Sequence, residues 1–570
     1  MARIRFIDIR NFRCLKTFTW RPAEGLNCLI GPGDAGKSSV LNAIDFCVGA
    51  RRNLSFSDAD FHGLDVTEPV SISITIGELD DGLKSMETYG NYLRSFNAET
   101  GVIDDEPEHG AETVLTLNLT VKSDLEPVWT LVSERAEAQG QTRYLTWSDR
   151  IRLCATRIGA YAENDLAWRR GSVLTKLSDE KAETSGAMAE AARQARATFG
   201  DMAEKQLSVT LGIVGDTARD LGIDIGAHPK ALLDAHSVSF SGGTIALHNE
   251  DGIPLRGLGT GSARLLVAGL QRKAAKDATV ILIDEVEHGL EPHRLIRLLH
   301  SIGSKEEPPP LQGFLTTHSP VTVRELSANQ LTVLRHGKDG HKAVLVGSKP
   351  TIQGTVRMCP EAFLSSSVLV CEGASEVGLV RGIDQFRASQ GKVTIEALGL
   401  ALVDAKGCDN IYPRAKAFRS LGYRTNVLRD DDVQPDKTAE GIFVKVVGAI
   451  FKWSAGRALE DELFDALPSD AVTKLLEYAV TLHGEDLVGE HIKSISAGKL
   501  TLKDCRASIT KDIRACLTKA CATKSAAWFK NVTAMEHCGR EIVGPALAKC
   551  GAEFRAIVEG VFAWIEDGRS

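Results

Sequence analysis

The fold turns on residues 26–46, LNCLIGPGDAGKSSVLNAIDF. A short apolar run, LNCLI, has the length of a buried strand, and SSVLNAIDF carries apolar residues at helical spacing. Between them GPGDAGKS satisfies G-x-x-x-x-G-K-S in the strand-to-helix setting this motif requires. Gly31, Gly33 and Gly36 let backbone N–H groups close around phosphate oxygens at a helix N-terminus. Lys37 reaches the outer phosphates, and Ser38, with Ser39 beside it, faces a magnesium ion; the ligand this predicts is ATP with Mg2+.

Upstream, RIRFIDIRNF alternates as a strand, and SISITI and TLNLTV return to period two downstream, giving an α/β start with an antiparallel flank. Far along the chain, ILIDEVEHGLEPH is a buried-strand pattern ending in two acids. Asp284 is placed to hold the magnesium water shell and Glu285 to orient an attacking water. His318 in FLTTHSP follows another apolar strand and is predicted to sense the γ-phosphate. The distance from Lys37 to Asp284 is too long for an uninterrupted domain. The polar, Ala-rich stretch between them predicts a helical arm over 161–235, inserted between an N-terminal lobe (1–160) and a C-terminal lobe (236–350). LRGLGTGSARLL precedes the second strand and offers Gly259 and Gly261 at a helix start. This arrangement resembles the ABC-type ATPase heads of the SMC and RecF group. The resemblance implies head dimers in which that glycine loop closes over ATP held by a second copy.

VLVCEGASEVGLV, residues 368–380, opens a second α/β series with VTIEALG and RTNVLRDDD. Glu372 ends a strand and Glu376 lies one helical turn on, a pair that by itself is no more than a favourable helix-dipole placement. NVLRDDDV adds Asp430 and Asp432 on one side of another strand end. Carboxylates gathered at the carboxyl edge of a parallel sheet suit magnesium or manganese. The pattern resembles the Toprim domain, here 361–570 with a helical extension from about 440.

An ABC-type head with a helical insertion followed by Toprim is similar to the OLD (overcoming lysogenization defect) family of ATP-dependent nucleases, and to the Gabija nuclease subunit within it. That resemblance implies one ion held by Glu372, Asp430 and Asp432. It implies a second held by Glu376 with an acid of ALEDELF, Glu460 in the first place and Glu462 behind it. Lys530 in AAWFKNVT would offset charge on the transition state, and Gly407 in VDAKGCDNI would shape the site. The activity implied is an ATP-regulated, divalent-metal-dependent DNA endonuclease of bacterial anti-phage defence. Its partners would be DNA, further copies of the chain as a dimer or tetramer, and a helicase or other defence-system subunit. The alternative is a RecF/SMC-like DNA-repair ATPase whose Toprim part binds DNA or partners without cutting. Topoisomerase and primase readings lack a separate tyrosine module and a zinc-ribbon cysteine pattern.

Composition sets outer bounds. With Lys+Arg 67 against Asp+Glu 75 the chain carries −8, which excludes a globally basic nucleic-acid coat and makes any DNA contact regional. One region stands out: Lys493, Lys499, Lys503, Arg506, Lys511, Arg514, Lys519, Lys524 and Lys530 are offset by only Asp504 and Asp512. The twelve cysteines form no CxxC pair and no apolar run approaches the length of a membrane span, so a cytoplasmic, reduced protein is expected.

Overall fold

The computed structural model describes residues 2–50, 54–159, 166, 172–177, 190–191, 193–194, 198–199, 202–203, 205–220, 229–231, 247–274, 280–337, 340–447, 450–523 and 526–567. They form two compact units, one made of Met1–Arg157 with Thr279–Ser570 and the other of Ile158–Ala278.

The first unit opens with β1 (Arg3–Phe12) and β2 (Leu15–Trp20), followed by β3 (Leu26–Ile30) and α1 (Lys37–Val48). β1 pairs antiparallel with β2 and with β4 (Val70–Gly77), and β4 pairs with β5 (Glu112–Val121). Alternation drives this sheet: Ile4, Ile7, Ile9 and Phe12 of β1 are buried, as are Ile72, Ile74, Leu117 and Leu119 of β4 and β5. Val40, Leu41 and Ile44 of α1 share that core.

A second sheet carries the phosphate loop. Its order is β9 (Gly340–Leu345), β8 (Leu331–Gly337), β3, β7 (Gln312–Thr316), β6 (Val280–Ile283) and then Thr156–Ile158. β3 runs parallel to β7 and β8, and β7 runs parallel to β6. The strands of this centre are buried throughout, as expected of a parallel sheet covered on both faces. Parallel pairing brings the carboxyl ends of β3, β6 and β7 to one edge, with β7 between the other two.

The third sheet is all parallel, in the order β11 (Leu400–Asp404), β10 (Ser367–Cys371), β12 (Arg424–Arg429), β13 (Phe451–Lys452). The strand expected at VTIEALG does not form there; the chain turns, and the strand runs from Leu400 to Asp404 instead. Gly399 sits at φ +66, a left-handed conformation that breaks an extended run, and a Cβ there would meet Ser366 Oγ at 2.9 Å. Helices α5 (Ala374–Ser389) and α6 (Cys408–Ser420) connect the strands, and α7 (Lys437–Val447) begins the helical remainder. That remainder closes over a core in which Trp453, Phe464, Trp528, Phe529 and Phe554 are buried, each large side chain worth roughly 1.5–3 kcal/mol of burial.

Arg335 at the end of β8 joins the second sheet to the third. Its guanidinium lies 3.7 Å from the ring centroid of Tyr423 and donates to the carbonyls of Ser366 (2.9 Å) and Ser365 (3.2 Å). The Tyr423 hydroxyl donates in turn to the Phe363 carbonyl at 2.6 Å.

In the second unit, α2 (Ser208–Asp220) and α3 (Thr260–Lys273) are helical. Most of the arm expected at 161–235, and most of the strand pattern read near 237–249, lie outside the described residues. Among the described residues no helix is long and apolar enough to cross a membrane. All twelve cysteines are free.

Candidate nucleotide and carboxylate sites

The phosphate loop is shaped by close approaches. Gly31 adopts φ +132 where a Cβ would lie 2.6 Å from the Leu334 carbonyl oxygen, and Gly36 adopts φ +86 where one would lie 2.7 Å from Cys14 Sγ. Only glycine fits either place. Gly33 has open space around its missing Cβ. Lys37, 5% exposed, donates from Nζ to the carbonyls of Gly31 (3.1 Å) and Pro32 (2.8 Å). Burial lowers its pKa, and the charges of Asp34, Asp284 and Glu287 oppose that shift.

Ser38 Oγ donates to Asp284 Oδ1 at 3.0 Å, linking the loop to the end of β6. Thr316, at the end of the intervening β7, donates from Oγ1 to the same Asp284 oxygen at 2.6 Å and accepts the Glu285 N–H at 2.8 Å. That bond holds Glu285 at φ +46, an uncommon conformation for a residue with a side chain, and the carboxylate is turned outward with 57% of it exposed. Arg157 reaches Asp284 at 3.7 Å and Asp45 at 3.0 Å. Glu287 binds the following loop, accepting from Thr317 Oγ1 and from the His318 N–H, both at 2.6 Å. The His318 side chain is exposed beside this junction. Ser39 Oγ lies 3.6 Å from Cys14 Sγ. The structure thus brings Gly31, Lys37, Ser38, Asp284, Glu285 and His318 to one sheet edge. Gly259, the N-cap of α3, and Gly261, in its first turn, belong to the second unit.

The second cluster grows from β10 and β12. Glu372 follows β10, and its Oε2 accepts the Asp430 N–H at 3.1 Å. The Glu372 carbonyl accepts the N–H of Gly407 (2.9 Å), which sits at φ +108. Glu376 in the first turn of α5 is 3% exposed and caps its own helix by accepting the Gly373 N–H at 2.9 Å. Asp430 Oδ1 accepts the Leu459 N–H at 3.0 Å, tying the end of β12 to the start of α8 (Leu459–Ala466).

These acids repel one another. Asp430 is pushed up to about 9 by burial first, then by the charges of Glu376, Glu372, Glu460 and Asp432. Burial, with Glu460 and Glu372 nearby, pushes Glu376 up to about 7. Glu372 is raised for the same reasons, burial first and then Asp432, against the opposing Asp430 N–H. Raised carboxylates that hold each other's protons mark a site with unmet demand for positive charge.

The two candidates on α8 part company. Glu460, 5% exposed, acts on Asp430 and Glu376; Glu462, 1% exposed, instead accepts the Ser454 N–H at 2.8 Å and lies 3.8 Å from Arg457. Asp431, between the two DxD acids, pairs with Arg429 (3.1 Å) and Lys452 (3.4 Å); against the opposing effect of burial, the Gly456 N–H first, then Gln434 and these two cations depress its pKa. Asp432 is exposed. Lys530, also exposed, lies close enough for its charge to act on the buried Cys521 thiol, as Glu460 does from its side.

Among the described residues no group of three or more His, Cys, Asp or Glu side chains has the geometry to hold a metal ion. Glu372, Glu376 and Asp430 each spend one oxygen on a backbone N–H. The donor set is nonetheless all hard oxygen, the ligand type that Mg2+ and Mn2+ take.

Sequence reasoning missed Thr316, Glu287 and Arg157. Thr316 and Glu287 sit in the very motifs it quoted, but their roles arise only when β7 lies between β3 and β6.

Residues 26–324 match the family model described as "AAA domain, putative AbiEii toxin, Type IV TA system", and residues 363–432 match "Overcoming lysogenization defect protein-like, TOPRIM domain". The DNA replication and repair protein RecF of Chlorobium phaeovibrioides is 23% identical over 112 residues, and that of Chlorobium luteolum 31% over 112 residues. Each alignment covers 18% of this chain, and the chain spans 30% of the length of these curated relatives. Among solved structures, the Smc head domain with an extended coiled coil from Pyrococcus furiosus is 13% identical, covering 60% of this chain and 96% of that one at TM-score 0.34. The SMC head domain from Thermotoga maritima is 12% identical, covering 60% and 99% at TM-score 0.28.

Proposed function

The chain belongs to the AAA-domain family whose model covers residues 26–324, and from that premise we propose that it is a DNA-associated ATPase of the RecF and SMC kind. An ATPase domain and a Toprim-like domain share one chain, and in this reading nucleotide occupancy of the first governs DNA engagement by the second. The carrying observation is the junction of Ser38, Asp284 and Thr316 beside Lys37, which supports a magnesium-side role for Ser38 and Asp284. ATP with Mg2+ would be held there, with Glu285 orienting the attacking water and His318 facing the γ-phosphate. Gly259 and Gly261 would close over ATP from a second copy, with the 161–235 arm contributing to the dimer.

Glu285→Gln is expected to lower ATP turnover by about 10²–10⁴-fold while ATP affinity stays within twofold of the parent, roughly the scatter of such a measurement. Turnover at the parent rate would remove the water-orienting role.

For DNA, the basic stretch is thinner than its composition. Arg506 is engaged by Glu477 and Glu485, and Arg514 by the carbonyls of Phe464 and Leu467, while Lys524 lies outside the described residues. Lys493, Lys499, Lys503, Lys511, Lys519 and Lys530 remain exposed. Duplex DNA should therefore bind with a steep salt dependence, and Lys499→Ala with Lys503→Ala should flatten the slope of log K on log salt by about two. DNA that neither binds nor alters ATP turnover would sink the proposal.

A second reading, metal-dependent phosphodiester cleavage, is favoured by one observation, the mutual repulsion of Glu372, Glu376, Asp430 and Glu460. Glu372, Asp430 and Asp432 would hold one ion and Glu376 with Glu460 a second. Bound there, the ions would activate water and steady the leaving oxygen. Lys530 would offset charge on the phosphorus. Plasmid nicking with Mg2+ or Mn2+ that disappears in Glu372→Ala supports cutting, and an intact plasmid leaves the first reading alone.

A further inference from the structure

A groove of about 660 Å3 opens between α6, α7 and the start of α4 (Pro350–Met358). Its two long walls are helical stripes. From α7 come Ala439, Ile442, Phe443 and Val446, spaced i, i+3, i+4, i+7, which is one complete face of a helix. From α6 come Pro413, Lys416, Ala417 and Ser420 at the same spacing, mostly small residues that let another backbone approach. Ile442 and Val446 are 51% and 58% exposed, although they lie on the apolar face of their own helix. Two such faces side by side, with no third helix of the described residues between them, form the groove into which an amphipathic helix packs.

Charge selects the occupant. Lys349, Lys416 and Arg419 rim the groove against a single acid, Asp436. No ion pair engages any of the three cations among the described residues. We infer that this groove is a docking site for an acidic amphipathic helix of a partner protein, its apolar face on Ile442, Phe443 and Val446 and its carboxylates on Lys349, Lys416 and Arg419.

The site is distinct from the carboxylate cluster yet mechanically close to it. Glu440, on the flank of α7 beside the apolar stripe, pairs at 3.1 Å with Arg429, the residue before Asp430. A helix seated in the groove bears directly on α7 and thus on the end of β12. The inference does not depend on whether the acids cut DNA.

The test uses the full chain and two fluorescent peptides of about 18 residues, long enough to hold a helix in water. Both carry Leu along one face; one has Glu on the flanks and the other Lys. The acidic peptide should bind saturably and at least about tenfold more tightly than the basic one. Ile442→Asp should weaken it by about tenfold or more, and Lys416→Glu with Arg419→Glu should reverse the preference between the peptides. These positions lie on the surface or the groove wall, and an unchanged thermal transition will verify that each variant is folded. Absence of binding by both peptides, equal binding of the two, or indifference to Ile442→Asp overturns the inference. So does a self-association of the chain that Ile442→Asp abolishes, which would assign the groove to a second copy.

Discussion

Lys37→Ala is expected to weaken ATP binding by about two orders of magnitude or more, read by equilibrium titration with a fluorescent nucleotide. Removing one partner of a buried charge contact costs about 2–5 kcal/mol, and every 1.4 kcal/mol is tenfold in affinity. Lys37 meets those conditions: its ammonium is buried at the floor of the loop, held by the Gly31 and Pro32 carbonyls. The nearby charges of Asp34, Asp284 and Glu287 favour its protonated form. Alanine leaves those two carbonyls without their donor and removes the cation that faces the outer phosphates. The loop itself keeps its shape because Gly31 and Gly36, rather than Lys37, make the close approaches to Leu334 and Cys14. Binding should therefore fall far more than thermal stability. ATP affinity within threefold of the parent, about 0.7 kcal/mol, would show that phosphate is bound elsewhere.

Asp430→Asn has the second large effect, and its sign is opposite for stability and for metal. An acid whose pKa is raised on folding stabilises the fold fully only below its ordinary range near 4, and that contribution is lost as pH rises through the folded value. For Glu376 and Asp430 the window runs from about 4 up through about 7 and about 9. Without divalent cation the parent protein should lose stability steadily across it. Asparagine removes the charge that burial and four neighbouring acids oppose, and its side-chain carbonyl still accepts the Leu459 N–H. The variant should melt about 2–4 °C higher than the parent at pH 8, with the gap closing at pH 5. Adding Mn2+ should raise the melting temperature of the parent and leave the variant unmoved. If the variant melts lower at pH 8 or responds fully to Mn2+, Asp430 is neither a repelled acid nor a ligand. Any metal-dependent cutting should vanish with the same substitution.

Much of this was legible because the chemistry sits at the ends of apolar runs. LNCLI, ILI, VLVC and NVL each bring a polar residue to a sheet edge, so Lys37, Asp284, Glu372 and Asp430 could be named from local pattern. Partners across the sheet could not. Thr316 clamps Asp284 and Glu285 only because β7 separates β3 from β6, a long-range pairing that no window of sequence contains. Glu460 and Glu462 are both buried acids two residues apart, and what distinguishes them is the Ser454 N–H that occupies Glu462. Two arginines of the basic stretch, Arg506 and Arg514, add free charge by composition alone, yet the fold uses them to bind carboxylates and helix-end carbonyls. The misplaced strand at VTIEALG reflects one glycine, Gly399, whose left-handed turn ends the loop before the real strand begins.

The contact of Arg335 with Tyr423 has a consequence for how the molecule can be divided. Cutting between the two matched segments, near residue 350, would strand a guanidinium at the end of β8 with neither its ring nor its two serine carbonyls. The other fragment would bare the face of Tyr423 at the root of the strand that ends beside Asp430. Neither piece would be a finished globule, and each should aggregate or melt early when expressed alone. The two halves are thus expected to be more stable joined than apart, however separable they look when written as a string of motifs.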